Sequence, residues 1–424
     1  MFIHTVRPGD TVYKIAQQYG VSAAAIISAN VLTNPNSLII GQPLIIPQTA
    51  RSHTVVAGDT LYRIAQRYGI SLDALLLANP QIVNPNNLQI GQVLQIPWVK
   101  WGDIVVNGYA YPSTRSEVLR EALPHLTFLS VFSANLQPDG SLIPMDDQRV
   151  IALCREYSVQ PHMVIANLRE DAGFQTGIAT AVLQNPAAQN TFLDQAIALM
   201  KARGYTGLDL DLEYVRASDR DAYNCLLAKA RARLHDEGFV LSAALAAKTS
   251  ANQPGLLFEG HDYAEHGRYD DYVILMTYDW GYVSGPPMAV APLQEVRRVV
   301  DYAVREIPRE KILLGIPNYA YDWTLPYAEG TKAKLVYHPE AILLAARQGA
   351  QIKFDEAAQT PYFHYFDAAG KQHVVWFEDA RSILAKLELV RQYRLGGVSY
   401  WAVNHSFPQN WYVLDAVYQV KKEA

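Results

Sequence analysis

The sequence predicts an α/β protein: a (β/α)8 TIM barrel with a small α+β insertion between its seventh and eighth strands, preceded by two small βααβ modules. Three observations predict it. A segment near the N-terminus recurs once, with Asp10 matched by Asp59. Behind the repeat, eight apolar strand-like runs alternate with amphipathic stretches. One of those runs alternates leucine with carboxylates.

The repeat comes first. His4-Thr5-Val6 recurs as His53-Thr54-Val55, Gly9-Asp10-Thr11 as Gly58-Asp59-Thr60, and Tyr19-Gly20 as Tyr68-Gly69. Later, Asn34-Pro35-Asn36 matches Asn84-Pro85-Asn86, so the second copy carries one extra residue between Asn79 and Asn84. Each copy reads as a strand (Ile3–Val6), a turn, and a helix capped by Asp10 or Thr11 and stopped at Gly20. A second helix then runs from near Ser22 to near Asn30, and a closing strand covers Leu44–Ile46.

The remainder supplies the barrel. Strands begin near Ile104, Thr127, His162, Gly207, Val240, Tyr272, Ile312 and Gly397. Amphipathic segments such as Asn190–Arg203, Asp219–Glu237 and Leu293–Glu306 lie between them. Strands covered on both faces read as continuous apolar runs, as these do. The gap before the last strand is too long for one helix, and its polar and aromatic residues near 351–379 are assigned to the insertion. The expected domains are therefore 1–48, 51–98 and 103–424.

Composition narrows the function classes. Half the residues are hydrophobic and 18% are charged, which fits a folded chain. The net charge of −5 offers no basic face for nucleic acid or an anionic membrane. No apolar run approaches the ~20 residues of a membrane span. Met1–Thr5 leads straight into the repeat without a basic or apolar leader, so no signal peptide is expected. Cys154 and Cys225 both fall in helix-like segments, and buried free thiols are expected.

The chemistry is concentrated in Gly207-Leu208-Asp209-Leu210-Asp211-Leu212-Glu213. A period of two puts Asp209, Asp211 and Glu213 on one face and three leucines on the other, with successive carboxylates about 6.6 Å apart. Acids aimed at a barrel interior are costly unless paired or protonated. Close carboxylates do not ionise independently, so the outer one, Glu213, is expected to hold its proton to higher pH and serve as a general acid. An exposed acidic edge strand and a magnesium or calcium site are the competing readings. The uniform leucine face opposes the first, and the lack of a nearby histidine or further acid opposes the second. No metal and no cofactor is expected.

Two family resemblances follow from these residues. Residues 3–47 and 52–97 resemble LysM domains in their Gly-Asp-Thr turn, Ile-Ala pair, Asn after the second helix and Gly-Gln before a strand ending Ile-Pro. The resemblance implies binding of N-acetylglucosamine-containing glycans, with Asp10, Thr11, Asn30, Leu32, Asp59, Thr60, Asn79 and Ile82 near the sugar. Capping and turn formation is the alternative role for residues such as Asp10 and Asn30.

Residues 104–424 resemble glycoside hydrolase family 18, through its Asp-x-x-Asp-x-Asp-x-Glu motif at 206–213. Thr206 stands where that motif has its first Asp. Met276-Thr277-Tyr278-Asp279, Gly315-Ile316-Pro317-Asn318-Tyr319 and Tyr400-Trp401 match further family elements. The resemblance implies substrate-assisted catalysis on an N-acetyl sugar. Glu213 would be the acid/base, Asp211 would orient the acetamido group, Tyr278 would bond it and Asp209 would support Asp211. Trp401 would form the sugar floor. Asp279, Trp280, Tyr109, Asn135, Asn167, Asn318 and Tyr319 would line the substrate cleft. Core packing is the alternative for Tyr278 and Trp401.

With the loops 281–292, 320–327 and 407–411, the whole chain resembles the spore-cortex-lytic N-acetylglucosaminidases of endospore-forming bacteria. That implies a monomer made in the mother cell and placed in the spore coat or cortex. It would act on cortex peptidoglycan strands carrying N-acetylglucosamine and muramic-δ-lactam. A chitinase, a general peptidoglycan glucosaminidase and a non-catalytic glycan-binding spore protein are the alternatives.

Overall fold

A computed structural model describes residues 1–47, 50–169 and 171–422. Residue 48, the expected end of the first module, and residues 423–424 at the expected end of the barrel domain lie outside the described residues. Two compact units are present: 1–102 with 408–419, and 103–407 with 420–424. Among the described residues no helix is long and apolar enough to cross a membrane.

The first unit holds the two modules. In module one, Phe2–Thr5 pairs antiparallel with Pro43–Ile46, and helices Val12–Tyr19 and Ala23–Ala29 pack on that ribbon. Thr11, not Asp10, is the cap: its side chain accepts from the Lys14 N–H at 3.2 Å, worth ~1 kcal/mol. Gly20 closes the helix at φ 66°, a conformation that favours glycine. Val12, Ile15, Ile26, Leu44 and Ile46 form the core. Module two repeats this with Ala50–Thr54, Leu61–Tyr68, Leu72–Leu77 and Val93–Pro97. The helix Pro408–Val417 belongs to this unit too, and Gln409 Nε2 donates to Asn30 Oδ1 at 2.8 Å.

The second unit is a closed parallel barrel. Its strands are β1 (Asp103–Ala110), β2 (Phe128–Leu136), β3 (Gln160–Ala166), β4 (Gly207–Asp211), β5 (Val240–Ala246), β6 (Tyr272–Met276), β7 (Ile312–Pro317) and β8 (Gly397–Trp401). Each pairs in parallel with its sequence neighbour, and β8 pairs with β1 to close the ring. Leu208, Leu210 and Leu212 are fully buried on the face of β4 opposite its carboxylates. Val105, Tyr109, Phe128, Val164, Ile274 and Leu313, from β1, β2, β3, β6 and β7, form part of a buried cluster.

The insertion is larger than expected. Its five-stranded antiparallel sheet starts at Ala320–Leu325 and ends at Gln372–Trp376, with the helix His338–Arg347 inside that span. The range 351–379 captures only the later strands. The sequence reading places 320–327 in a loop after β7, whereas Ala320–Leu325 is the first strand of this sheet. Cys154 is buried as expected, but Cys225 is exposed, on the outward side of Arg220–Asp236.

Candidate active site

A cavity of about 830 Å³ is lined by Asp211, Glu213 and Tyr278, with Trp401 at one side. It lies at the C-terminal ends of the barrel strands, where barrel enzymes carry their chemistry. Asp211 ends β4, Tyr278 and Asp279 follow β6, and Trp401 ends β8.

The three carboxylates have different surroundings. Asp209 is fully buried and satisfied: Tyr109 Oη donates to one oxygen at 2.7 Å and Ser242 Oγ to the other at 2.6 Å. Burial raises its pKa to about 6, against the lowering effect of those two donors. Asp211 is also buried, but its Oδ1 has no hydrogen-bond partner. Burial, then the charges of Glu213 and Asp209, hold Asp211 well above the ordinary carboxylate range. Glu213, partly exposed, is pushed up to about 7 by burial and then by Asp279. The expectation assigned the raised value to the outer acid alone. Burial raises the inner one as well, so Asp211 and Glu213 titrate as a pair.

Main-chain anchors fix this arrangement. Asn167 Oδ1 accepts the Glu213 N–H at 3.0 Å, and its Nδ2 donates to the Glu213 carbonyl at 2.9 Å and to the Gln175 carbonyl at 3.1 Å. From another side, His261 Nε2 donates to the Leu212 carbonyl at 3.0 Å while its Nδ1 accepts the Ala246 N–H at 3.1 Å. Those two bonds require the neutral ring, and burial lowers its pKa to about 3.

The remaining expected residues divide. Tyr278, Asp279, Trp280, Tyr109 and Trp401 line the cavity. Trp401 packs edge-on against Tyr109 and Phe132 at 5.2 and 4.9 Å. Asp279 sits at φ 62°, a left-handed conformation uncommon outside glycine, and Tyr319 Oη donates to it at 2.6 Å. Tyr319 and Asn318 line a second cavity that shares Asp279 and Trp401 with the first. Asn318 spends its Nδ2 on the carbonyls of Ala402 and His405, both at 3.0 Å. The amide of Asn167 faces main chain, not the cavity. Asn135 lines neither cavity and accepts from Ser133 Oγ at 3.0 Å.

In the modules the residues expected near the sugar all make contacts within the fold. Asn30 is buried and bonds the Ile26 and Ile45 carbonyls and the Ile45 N–H. Asn79 does the same with Leu75 and Gln95. Asp10 accepts from His4 Nε2 and the Arg7 N–H, and Asp59 from His53 Nε2 and the Val56 N–H. Thr60 caps its helix as Thr11 does, and Leu32 and Ile82 pack against the module cores. Asp10, Thr11, Asp59 and Thr60 thus make capping and turn bonds within their modules.

Sequence reasoning missed His261 and Ser242, which sit in segments without a motif. It also missed Phe174, Tyr214 and Phe258, which wall the first cavity. Phe174, Tyr214 and Phe258 lie in the segments that follow β3, β4 and β5, and that placement was their only signal. Among the described residues no group of three or more His, Cys, Asp or Glu is placed to hold a metal.

A (β/α)8 barrel that opens a cavity over Asp211 and Glu213, both held above the ordinary carboxylate range, together with its family match, gives the class: the chain is a glycoside hydrolase. It belongs to glycosyl hydrolases family 18, whose family model matches residues 117–405, and LysM domain matches cover 4–47 and 53–97. It is 43% identical to the cortical fragment-lytic enzyme of Bacillus subtilis strain 168, over 100% of this chain and 99% of that protein. The crystal structure of the spore cortex-lytic enzyme SleL of Bacillus megaterium QM B1551 superposes with a TM-score of 0.89 at 38% identity, covering 100% of this chain and 99% of the other. A chitinase from Chromobacterium violaceum aligns with a TM-score of 0.68 at 26% identity, covering 74% of this chain and 98% of that one.

Proposed function

We propose that this protein hydrolyses the β-1,4 bond after N-acetylglucosamine in spore cortex peptidoglycan fragments during germination, held on its substrate by the LysM modules. The observation that carries the reading is the unpartnered, buried Oδ1 of Asp211 in the same cavity as Glu213 and Tyr278. A buried acceptor without a donor is costly, and an acetamido N–H is the donor it fits. The cortex assignment is supported by full-length similarity to the Bacillus subtilis cortical fragment-lytic enzyme and the Bacillus megaterium spore cortex-lytic enzyme.

In the proposed mechanism the substrate's own acetamido oxygen attacks the anomeric carbon as the bond to the leaving oxygen breaks. Glu213, protonated because its pKa stands near 7, gives that oxygen its proton. Asp211 orients the acetamido group by accepting its N–H at the unpartnered Oδ1. Tyr278 donates to the acetamido oxygen. The glutamate then takes a proton from water, which opens the ring with net retention. Trp401 offers an apolar face to the sugar, and Asp209, held by Tyr109 and Ser242, fixes the field beneath Asp211.

Mass spectrometry of cortex fragments incubated with wild type and Glu213→Gln tests this. New reducing-end N-acetylglucosamine from wild type alone is expected. Product from both proteins removes Glu213 from the mechanism. Faster turnover of chitin oligomers than of cortex fragments gives the substrate assignment to a chitinase instead, and binding without product from either protein gives it to a glycan-binding role.

A further inference from the structure

The N-terminal unit holds a cavity of about 560 Å³ between its two modules. Phe2 and Tyr19 of the first module and Arg51 and Tyr68 of the second contribute to its walls. These are equivalent positions of the repeat: Tyr19 matches Tyr68, and Phe2 matches Arg51. The tyrosines do the same work in both copies, each hydroxyl meeting a histidine Nδ1, at 3.2 Å for His4 and 3.1 Å for His53. The other pair differs in kind, since one copy places a phenyl ring where its partner copy places a guanidinium.

Trp98 stands between them. Phe2 meets its indole edge-on at 5.4 Å, and the Arg51 guanidinium lies over the same indole at 3.8 Å. Arg51 Nε and Trp98 Nε1 are both buried, and neither has a hydrogen-bond partner. Both groups only donate, so the chemistry they lack is an acceptor. The stack on Trp98 engages the face of the guanidinium and leaves its N–H edge unused. Among the described residues Arg51 makes no ion pair, and no Asp or Glu lines this cavity; its polar wall is neutral Gln18, Ser52 and Gln95. A fixed, uncompensated cation with a planar donor edge matches a carboxylate, which accepts two parallel bonds.

We propose that this inter-module cavity is a carboxylate site for peptidoglycan, with Arg51 on the anion and Phe2 and the two tyrosines against the carbon skeleton that carries it. It is separate from the Gly-Asp-Thr loop of either module, and it exists only where both modules meet. It rests on the proposed function for the source of the ligand alone. Two sources share the chemistry: the lactyl group of muramic acid and the carboxylates of the stem peptide.

Calorimetric titration tests it, using the full chain with Glu213→Gln so that nothing is turned over. The probes are a muropeptide disaccharide with a tripeptide stem, the same molecule with its carboxylates amidated, a peptide-free muramic disaccharide, and chitotetraose. Arg51→Gln is expected to raise Kd about tenfold for carboxylate-bearing probes and to leave the amidated probe and chitotetraose unchanged. Arg51→Lys is expected to recover part of the loss. A response to the peptide-free muramic probe assigns the lactyl source, and a response only with the tripeptide assigns the stem.

Equal Kd values with and without Arg51 overturn the proposal. So does an equal loss for all four probes, which makes Arg51 a packing residue between modules. A measurement that needs no change at Arg51 is the NMR resonance of the Trp98 indole N–H. It is expected to move with carboxylate-bearing probes and stay still with chitotetraose, and a resonance that ignores both overturns the proposal. Cleavage of cortex fragments by wild type is a separate readout, so failure here leaves the proposed activity standing.

Discussion

Asn167 pairs with Glu213 as a neighbouring strand would: its side-chain amide accepts the Glu213 N–H at 3.0 Å and donates to the Glu213 carbonyl at 2.9 Å. The β3–β4 ladder ends with Ala166 opposite Asp211. Asn167 follows at once, so one side chain adds a rung where the main chain of β4 has stopped. The acid is thereby held on a rigid extension of the barrel although it lies two residues past the strand. Asn167→Ala is expected to lower kcat 10- to 100-fold, since misplacing a reacting group by about 1 Å costs that much, with KM changed less than about threefold. Steady-state kinetics on soluble fragments decides it. A raised KM with unchanged kcat makes Asn167 a substrate contact, as the sequence suggested.

The raised carboxylate pKa values predict a pH effect with a definite sign. In the fold Glu213 holds its proton to about pH 7, whereas the unfolded chain releases it near 4.3. Its contribution to stability is therefore complete below about pH 4.3 and is lost as pH rises through 7. Glu213→Gln cannot ionise. The stability gap between variant and wild type is expected to be smallest near pH 4.5 and to grow in the variant's favour by pH 8, by ~1–3 kcal/mol. Thermal melts across that range measure the gap. A gap that shrinks with pH means the carboxylate has a stabilising partner in the fold. Catalysis follows the same proton, so kcat/KM is expected to fall as pH rises above about 7.

The barrel was legible because strands buried on both faces leave apolar runs, and all eight start within two residues of where the sequence puts them. The acidic face of β4 was legible for the same reason: period two is a local property. What the sequence does not carry is where an amide spends its hydrogen bonds. Asn30, Asn79 and Asn167 sit beside turns or strand ends, as ligand-binding asparagines do, and only the fold brings the Ile45, Gln95 and Glu213 main chains to them. The partners lie 15, 16 and 46 residues away. The shared raising of Asp211 and Glu213 was half legible. Spacing predicts the repulsion at Asp211, but the charge beside Glu213 is that of Asp279, and burial, the larger cause for both, is a tertiary quantity.

Gly315 in β7 tests how closely the barrel wall approaches Tyr278. A Cβ there would lie 2.2 Å from the Leu275 carbonyl oxygen and 2.9 Å from the Tyr278 ring. The carbonyl is main chain of β6, the strand that leads into Tyr278, so an added methyl forces the two strands apart. Gly315→Ala is expected to cost ~1–3 kcal/mol of stability, the usual range for overpacking. It is also expected to lower kcat more than Tyr278→Phe does, because it moves Asp279 along with the tyrosine. Melting curves and kinetics on one preparation measure both. Wild-type kcat in a destabilised Gly315→Ala protein separates the wall from the site.

The last prediction concerns what Asn30 is for. Its side chain is buried and ties the end of helix Ala23–Ala29 to the closing strand through the Ile26 and Ile45 carbonyls and the Ile45 N–H, and it accepts from Gln409 as well. Removing it leaves buried main-chain groups without partners, at roughly 1–3 kcal/mol for each unsatisfied group. Asn30→Ala is therefore expected to destabilise the N-terminal unit by ~2–4 kcal/mol, read by hydrogen exchange at the Ile45 N–H. Gln409→Ala removes only one of these bonds and is expected to cost about 1 kcal/mol. Glycan affinity, measured well below the melting temperature, is expected to stay within about twofold for Gln409→Ala and to fall for Asn30→Ala only as the unit opens. A large affinity loss in Asn30→Ala with unchanged exchange at Ile45 makes the residue a sugar contact after all.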